Sequence, residues 1–356
     1  FILSPKVTVL MSVYNGEKYL NESINSIINQ TFTDFEFLII DDASTDSSRD
    51  IILSYSDPRI KLIKNKKNVG QSESLNRGLL EAKSEYIARM DQDDVSLTLR
   101  LDKQVRFMGE HPEVGVCGTF VDFTDQKHRS VVYSYLRNPL INNQELKAQL
   151  LFSPCFVHPT VMIRSKILLN HRIRYDQEYE PAEDYWFWKK LSSVTDFANI
   201  NDPLLKLREH SDQVSSKDFR RQSTAADNVR NQILLEFLGG RIAQEDLSRH
   251  RSIARFARMK SYQEISAAES WLNYLIEVNR TRVVFEENVL RRVISLIWYY
   301  LCINSTHLGM VAFRRFYLSA LYSGREQTIN QHLSFFVKCF LKHKVSLFDN
   351  APYIFE

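Results

Sequence analysis

The sequence predicts an α/β chain: a mostly parallel sheet with helices on both faces, followed by a mainly helical C-terminal region. Three observations lead there. Strand-like apolar runs and helical-period patterns alternate four times over residues 6–90 with short links, the arrangement that gives a parallel sheet covered on both faces. The polar signals of this stretch fall after a strand or in a strand-to-helix link, on the edge where open α/β sheets bind ligands. Residues 225–344 are rich in helix formers at helical apolar spacing, as in Ile233, Leu234, Phe237 and Leu238.

The first strand is the run Lys6-Val7-Thr8-Val9-Leu10-Met11-Ser12-Val13-Tyr14-Asn15. It is nearly continuous in apolar residues and turns polar at its end, as a buried parallel strand does. Tyr19, Leu20, Ile24, Ile27 and Ile28 then recur at helical spacing over residues 17–30. A second strand at 35–40 runs into Asp41-Asp42-Ala43-Ser44-Thr45-Asp46, where Ser44 or Thr45 is placed to cap a helix carrying Ile51, Ile52 and Tyr55. A third strand follows at 60–63, Asn68-Val69-Gly70 makes a turn, and 73–82 is helical.

The fourth strand ends in Asp91-Gln92-Asp93-Asp94, three carboxylates within four residues. Like charges packed together raise one another's pKa unless a cation sits among them. Asp91 and Asp93 are two apart, so an extended backbone points both to one side and makes a divalent-cation site at the strand's end. A solvated acidic turn would give the same triplet, and D-x-D alone is a weak signal. Its position in the strand-helix series gives it weight.

Val13-Tyr14-Asn15 with Glu17, the D-D-A-S-T-D run, Asn68-Val69-Gly70 with Asn76-Arg77-Gly78, and Asp91-Gln92-Asp93-Asp94 together resemble the ordered signature of family 2 glycosyltransferases. Val157-His158-Pro159-Thr160-Val161 and Glu183-Asp184-Tyr185-Trp186-Phe187-Trp188 fit the same pattern. The resemblance covers residues 6–212 and lies in order and spacing. The proline common before the first-strand tyrosine is Val13 here. The resemblance implies the GT-A fold and inverting, metal-dependent transfer from a nucleotide sugar, expected to be a UDP-sugar. The acceptor would be a saccharide or lipid-linked saccharide in surface-polysaccharide synthesis.

Each motif then has an expected task beside a plainer one. Asp42 would accept the N–H of the nucleotide base and Tyr14 would give the base a surface, although Asp42 also suits a turn or cap. Ser12 and Glu17 match family positions near base and ribose; Glu17 could equally be a first-turn helix acid. Gly70 permits close backbone approach or a positive φ. Asn76 matches a donor position, and Arg77 would neutralise a phosphate or simply be exposed. Asp93 is the expected metal ligand, with Asp91 touching metal or ribose and His210, in Leu207-Arg208-Glu209-His210, as a third ligand for manganese or magnesium. Asp94 is read as a helix cap or a support behind the site. Asp184 would be the base that takes the acceptor hydroxyl proton. Acids at helix N-termini are common for the dipole alone, and only the family's E-D pattern selects Asp184 over Glu183. One of Trp186 and Trp188 is expected in the core and the other as a sugar-stacking wall, and lone His158 is read as structural.

The 356 residues suit a catalytic domain over 1–220 and a helical region over 221–356 for packing, dimerisation or membrane-surface association. Residues 296–313 are strongly apolar but interrupted by Asn304, Ser305, Thr306 and His307, too broken to span a bilayer. With Arg291-Arg292 and Arg314-Arg315 at its flanks, this stretch suits either a membrane-surface helix or a packed one. From Arg251 onward there are 14 Lys and Arg against 8 Asp and Glu, which leaves the catalytic part slightly acidic with no basic stripe and argues against nucleic-acid binding. Four scattered cysteines predict reduced, mostly buried thiols in a reducing compartment, hence a cytoplasmic enzyme, peripheral at most on the inner membrane face. The chain opens on Phe1 with no secretory apolar segment, which suggests a natural start upstream. A sugar-nucleotidyltransferase would need a Gly-rich basic phosphate loop after the first strand, where Val13-Tyr14-Asn15-Gly16-Glu17 stands instead. A non-catalytic nucleotide-binding partner would not need Asp42, Asp91, Asp93 and Asp184 together.

Overall fold

The opening apolar run folds as β1 (Val7–Val13), buried along nearly its whole length, and its neighbours pair with it side by side. In this computed structural model the described residues are 4–125, 130–131, 140–210, 213, 218–323 and 329–342. The chain divides into a unit of residues 1–132, 141–143 and 155–225 and a second of residues 133–140, 144–154 and 226–356, interleaved in sequence.

In the first unit, β1, β2 (Phe35–Asp41), β3 (Ile60–Lys64) and β4 (Tyr86–Met90) alternate with α1 (Glu17–Ile28), α2 (Ser48–Leu53) and α3 (Gln71–Glu81). All the pairings among these four strands are parallel. The register sets Val13 opposite Asp41 and Asp41 opposite Lys64, so the strands end together on one edge. Beyond β4 come β5 (Val95–Ser96), α4 (Arg100–Glu110), β6 (Val114–Thr124) and β7 (Ser130–Val131), then, after α5 (Asn143–Gln149), which from Gln144 on belongs to the second unit, β8 (Met162–Arg164), α6 (Ser165–His171), α7 (Glu183–Ser192) and β9 (Asp196–Arg208). The strand order is β3-β2-β1-β4-β8-β6-β9-β5, with β7 beside β6. β8 is antiparallel to both β4 and β6, so the parallel half anticipated from the strand-helix alternation continues into a mixed half.

The helices pack closely on this sheet. α3 meets β1 through Gly78, where a Cβ would lie 2.1 Å from Leu10 Cδ1. Buried Arg100 donates to the Arg89 carbonyl at 2.7 Å, and Gln104 donates to the carbonyls of Cys117 and Thr160. The first bond fastens α4 to β4, which runs into the acidic triplet, and the other two fasten it to β6 and to the segment before β8.

The second unit holds the rest of the helices: α8 (Phe219–Leu238) from Ala226 on, α9 (Gln244–Ala254), α10 (Tyr262–Arg282), α11 (Glu287–Asn304), α12 (Met310–Leu318) and α13 (Ile329–Phe340). His250 sits at its centre. It accepts from Trp271 Nε1 at 3.1 Å and lies 2.8 Å from the Leu151 carbonyl, while burial pushes its pKa down to about 3 and keeps it neutral. α11 is core, with Leu290, Ile294, Trp298, Leu301 and Cys302 fully enclosed. The surface-helix reading therefore fails for residues 296–304, the part of that stretch that lies in α11. Arg291, Arg292 and Arg315 are tied to Glu287, Glu145 and Glu269. All four cysteines are free and buried, and among the described residues no helix is long and apolar enough to cross a membrane.

A side chain at position 78 has no room, whereas a Cβ at Gly109 meets nothing within 4 Å. Gly78→Val should cost about 1–3 kcal/mol through overpacking, while Gly109→Ala on α4 should be neutral or slightly stabilising. Chemical denaturation of the two variants beside the parent measures both.

Candidate active site

Asp41 and Asp42 end β2, and their side chains diverge. Asp42 is 3% exposed. Its Oδ1 accepts from Asn65 Nδ2 at 2.7 Å and from the Val69 N–H at 3.0 Å, and its Oδ2 accepts from the Gly70 N–H at 3.0 Å. Arg77 donates to Asn65 Oδ1 at 2.6 Å and thereby backs the same cluster, so it is neither simply exposed nor turned to solvent. Gly70 has φ 92°, and a Cβ there would crowd Glu180 Oε2 at 3.0 Å. Both reasons for a glycine apply. Glu180 Oε1 accepts from the Gln71 N–H, closing the N-terminus of α3. A cleft of about 790 Å³ opens here, with Lys67, Asn68, Gly70, Gln177, Glu180 and Arg221 among its walls.

The D-D-A-S-T-D run does a different job from the expected cap. Ser44 Oγ accepts from the Asn15 N–H, Asn15 Oδ1 accepts from the Thr45 N–H, and Asp46 Oδ2 accepts from the Glu17 N–H. Glu17 Oε2 in turn accepts from the Ser47 N–H at 2.9 Å. The starts of α1 and α2 cap each other, because each offers unpaired N–H groups that the other's acid can satisfy. Ser44 and Thr45 serve this exchange, and the residue before α2 is Ser47, which makes no side-chain cap. Glu17 has a structural partner of its own. Half-buried Ser12 lies near the end of β1 opposite Ile40.

β4 stops at Met90, and Gln92 and Asp93 form a turn rather than an extended continuation. Alternation along a strand is therefore not what orients the two carboxylates. Asp91 Oδ1 accepts from Arg89 Nη2 at 2.5 Å. Asp93 Oδ2 lies 2.9 Å from His210 Nε2. Asp94 is remote from any helix start, since α4 begins at Arg100; its Oδ1 accepts from the Arg208 N–H and behaves as a support behind the turn. Arg208 also donates from Nε to the Asp93 carbonyl at 2.9 Å. Burial pushes the Asp91 pKa up and that of Asp94 well up. Neighbouring carboxylates add to both, while Arg89 pulls in the opposite direction.

Some of the supporting residues escape a reading by periodicity. Tyr19 looks like one of the apolar positions of α1, yet its ring lies 4.6 Å from the His210 ring and 4.6 Å from the Arg208 guanidinium. Gln92, the unspecified middle of the triplet, clasps the Tyr14 backbone with both ends of its amide, accepting at 3.0 Å and donating at 3.2 Å. Gly16 makes room for it: a Cβ there would lie 2.5 Å from Gln92 Oε1. Tyr14, 44% exposed, is held with its ring toward open space. Only the two-residue step from Arg89 to Asp91 could have announced the ion pair.

Asp184 opens α7 next to Glu183. Burial raises the Asp184 pKa to about 6, with nearby Asp91 adding to the rise and Arg89 opposing it. Glu183 is buried, its Oε2 has no hydrogen-bond partner, and burial with the Asp184 charge beside it pushes its pKa up to about 8. Arg89 therefore acts on Asp91, Asp94, Glu183 and Asp184 together. Asn76 is buried on α3, its amide bonded at both ends to the Tyr175 backbone at 2.9 Å. Each end of that amide keeps one further hydrogen-bonding direction. His158 Nε2 meets the Tyr175 hydroxyl at 2.8 Å, and burial holds its pKa well below the usual value, the neutral structural histidine anticipated. Trp188 is core, and half-buried Trp186 stacks on Tyr179 with centroids 4.7 Å apart.

Among the described residues no three His, Cys, Asp or Glu form an all-protein cation cage. The donor set nevertheless fits a cation of another sort. Ions of the magnesium type are bound through one or two carboxylates plus substrate phosphates, and Asp93 beside His210 offers that kind of partial site, with Asp91 two residues earlier engaged by Arg89.

The family model described as "Glycosyl transferase family 2" matches residues 8–172. An uncharacterized glycosyltransferase of Haemophilus influenzae is 33% identical over 243 residues, covering 66% of this chain and 75% of that protein. The chain belongs to glycosyl transferase family 2. Among its relatives, the O-antigen biosynthesis glycosyltransferase WbnJ of Escherichia coli is 32% identical over 251 residues, 68% of this chain and 92% of WbnJ. The structure of S. aureus TarS residues 1–349, solved in complex with UDP-GlcNAc, superposes with TM-score 0.53 at 19% identity, covering 95% of this chain and 91% of that one. The GT-A fold of this family 2 transferase follows, a mostly parallel sheet with helices and a helical C-terminal region.

Glu183 gives a stability test. Its carboxyl is raised in the folded state from 4.5 to about 8, so folding takes up a proton. Its contribution is fully present below pH 4.5 and is lost as pH rises through about 8, a difference on the order of 3 kcal/mol by pH 7. Glu183→Gln should flatten the fall in stability between pH 5 and pH 8, read as the slope of denaturation free energy against pH. An unchanged slope would show that Glu183 does not carry that proton.

Proposed function

We propose that this family 2 glycosyltransferase is an inverting, divalent-cation-dependent enzyme. It transfers a sugar from a nucleoside-diphosphate sugar, a UDP-sugar, to a hydroxyl of a saccharide or lipid-linked saccharide during surface-polysaccharide synthesis. One observation carries the reading: Asp184, raised to about 6, shares the field of Arg89 with the acidic turn that ends β4. A carboxylate with a pKa near neutrality is suited to take a proton and later release it. The similarity to WbnJ, whose name assigns it to O-antigen biosynthesis, supports the acceptor class.

Asp42 would accept the imide N–H of a base in competition with the loop donors that already share it, Asn65 Nδ2 on Oδ1, the Gly70 N–H on Oδ2 and the Val69 N–H across both oxygens. Tyr14 would supply the flat surface, Ser12, Gly70 and Asn76 would contribute to the donor site, and Glu17 would lie near the ribose. Asp93 and His210 would hold the cation, with Asp91 beside them. When bound, a divalent cation supplies positive charge to the departing diphosphate as a Lewis acid. Asp184 accepts the proton of the acceptor hydroxyl as that oxygen bonds to the anomeric carbon. The bond from that carbon to the phosphate oxygen breaks, and its electron pair leaves with the nucleoside diphosphate. The new glycoside has inverted configuration, and Asp184 is left protonated until it returns the proton to solvent.

Two experiments test these roles. Asp93→Ala should cut transfer by roughly 10²–10³ and abolish the manganese-dependent part of the UDP-sugar thermal shift. An equal shift with and without manganese in the parent protein would refute cation dependence. Asp184→Asn should keep donor binding yet lose transfer by about 10²–10⁴. In the parent, kcat/KM should rise with pH through about 6 and then level off, because only the deprotonated carboxylate accepts a proton. Parent-like turnover in Asp184→Asn would remove it as the base.

A further inference from the structure

α12 and α13 pack against each other through an aromatic seam. Phe335 lies 5.6 Å from Phe313 and 5.5 Å from Phe316, and Tyr317 bonds to His332. Phe335 and Cys339 turn inward. The opposite side of α13 is apolar and open to solvent: Ile329 is 78% exposed, Leu333 58%, Val337 48% and Phe340 68%, with Leu341 at 66% just beyond the helix. Their spacing sets them along one stripe opposite the buried pair. On α12, Val311, Arg314 and Leu318 form a second outward row, Leu318 being 84% exposed. Exposed apolar surface this continuous marks a binding face on a soluble domain.

The charge pattern selects the occupant. Residues 310–342 contain Arg314, Arg315, Arg325, Lys338 and Lys342 against the single acid Glu326. The described residues of α12 and α13 carry no acid at all. Arg315 is spent on Glu269, but exposed Arg314 has no ion pair among the described residues. A second copy meeting this face by two-fold symmetry would bring two basic rims together, each with five cations against the single acid Glu326 in its sequence. A bilayer of anionic lipid answers both the apolar stripe and the basic rim.

We propose that α12 and α13 seat the protein on an anionic membrane surface, with the α13 stripe at the acyl boundary and Arg314, Lys338 and Lys342 among the headgroups. At 12 residues α13 is about 18 Å long, enough to lie in the interface and too short to cross it.

Flotation of the intact chain with phosphatidylcholine vesicles, with and without phosphatidylglycerol, tests this without donor or acceptor, so the result is separate from the transferase reading. The parent should float with the anionic vesicles, and less so as salt is raised. Leu333→Glu/Phe340→Glu, both at exposed positions, should weaken partition by about tenfold or more, with unchanged circular dichroism. Arg314→Glu/Lys338→Glu should remove the preference for phosphatidylglycerol. No flotation of the parent would overturn the proposal, as would flotation unchanged in both variants. A parent dimer in sedimentation equilibrium that Leu333→Glu/Phe340→Glu splits would assign the face to a second copy instead.

Discussion

The site depends on one buried cation. Arg89 lies inside the sheet, its Nη2 2.5 Å from Asp91 Oδ1, and its charge reaches Asp94, Glu183 and Asp184. Without it these carboxyls would face one another in a poorly hydrated space, where each unit of negative charge raises the cost of the next. One guanidinium cannot neutralise them all. The balance leaves Glu183 protonated, Asp184 poised near neutrality and the acidic turn short of positive charge. A site with a charge deficit of that sign is prepared for a cationic ligand, and the fold pays for that readiness in stability. Arg100, bonded to the Arg89 carbonyl and itself fully buried, holds the strand that presents this charge.

Much of the architecture was legible because it follows from periodicity. The four parallel strands and the helices between them begin and end within a few residues of where apolar spacing sets them, and the polar runs lie at the strand ends that the topology requires. Most of the mixed half of the sheet was not legible: β5 is only 2 residues long and carries no pattern of its own, and the apolar run Val161-Met162-Ile163 marks the 3-residue β8 as a strand without saying which strands it joins. The direction of the acidic side chains was misjudged for a related reason. Alternation holds only while a strand continues, and β4 ends one residue before Asp91. What orients Asp93 is Arg208 and His210, more than a hundred positions away.

The roles of individual residues were legible where chemistry is scarce and obscure where it is common. A histidine beside an aspartate is a sparse signal, and so is a glycine at positive φ. An asparagine such as Asn76 or a tyrosine such as Tyr19 has many uses, and only three-dimensional partners choose among them. In the C-terminal unit the strongest apolar run, that of α11, turned out to be core. The weaker run of α13 is the exposed one. Hydrophobicity alone ranks segments by how much they gain from leaving water, and the fold decides which of them does.

Gln92 has a consequence that reaches beyond its hydrogen bonds. Holding both the N–H and the carbonyl of Tyr14, it makes the end of β1 and the turn after β4 one mechanical piece. The surface offered to a flat ring and the carboxylates offered to phosphate then cannot shift independently, so their spacing acts as a fixed ruler along the ligand. The close approach of Gln92 to Gly16 also ties two distant positions together. A longer residue at 16 becomes tolerable only once the side chain at 92 is shortened, and that exchange would unfasten the ruler.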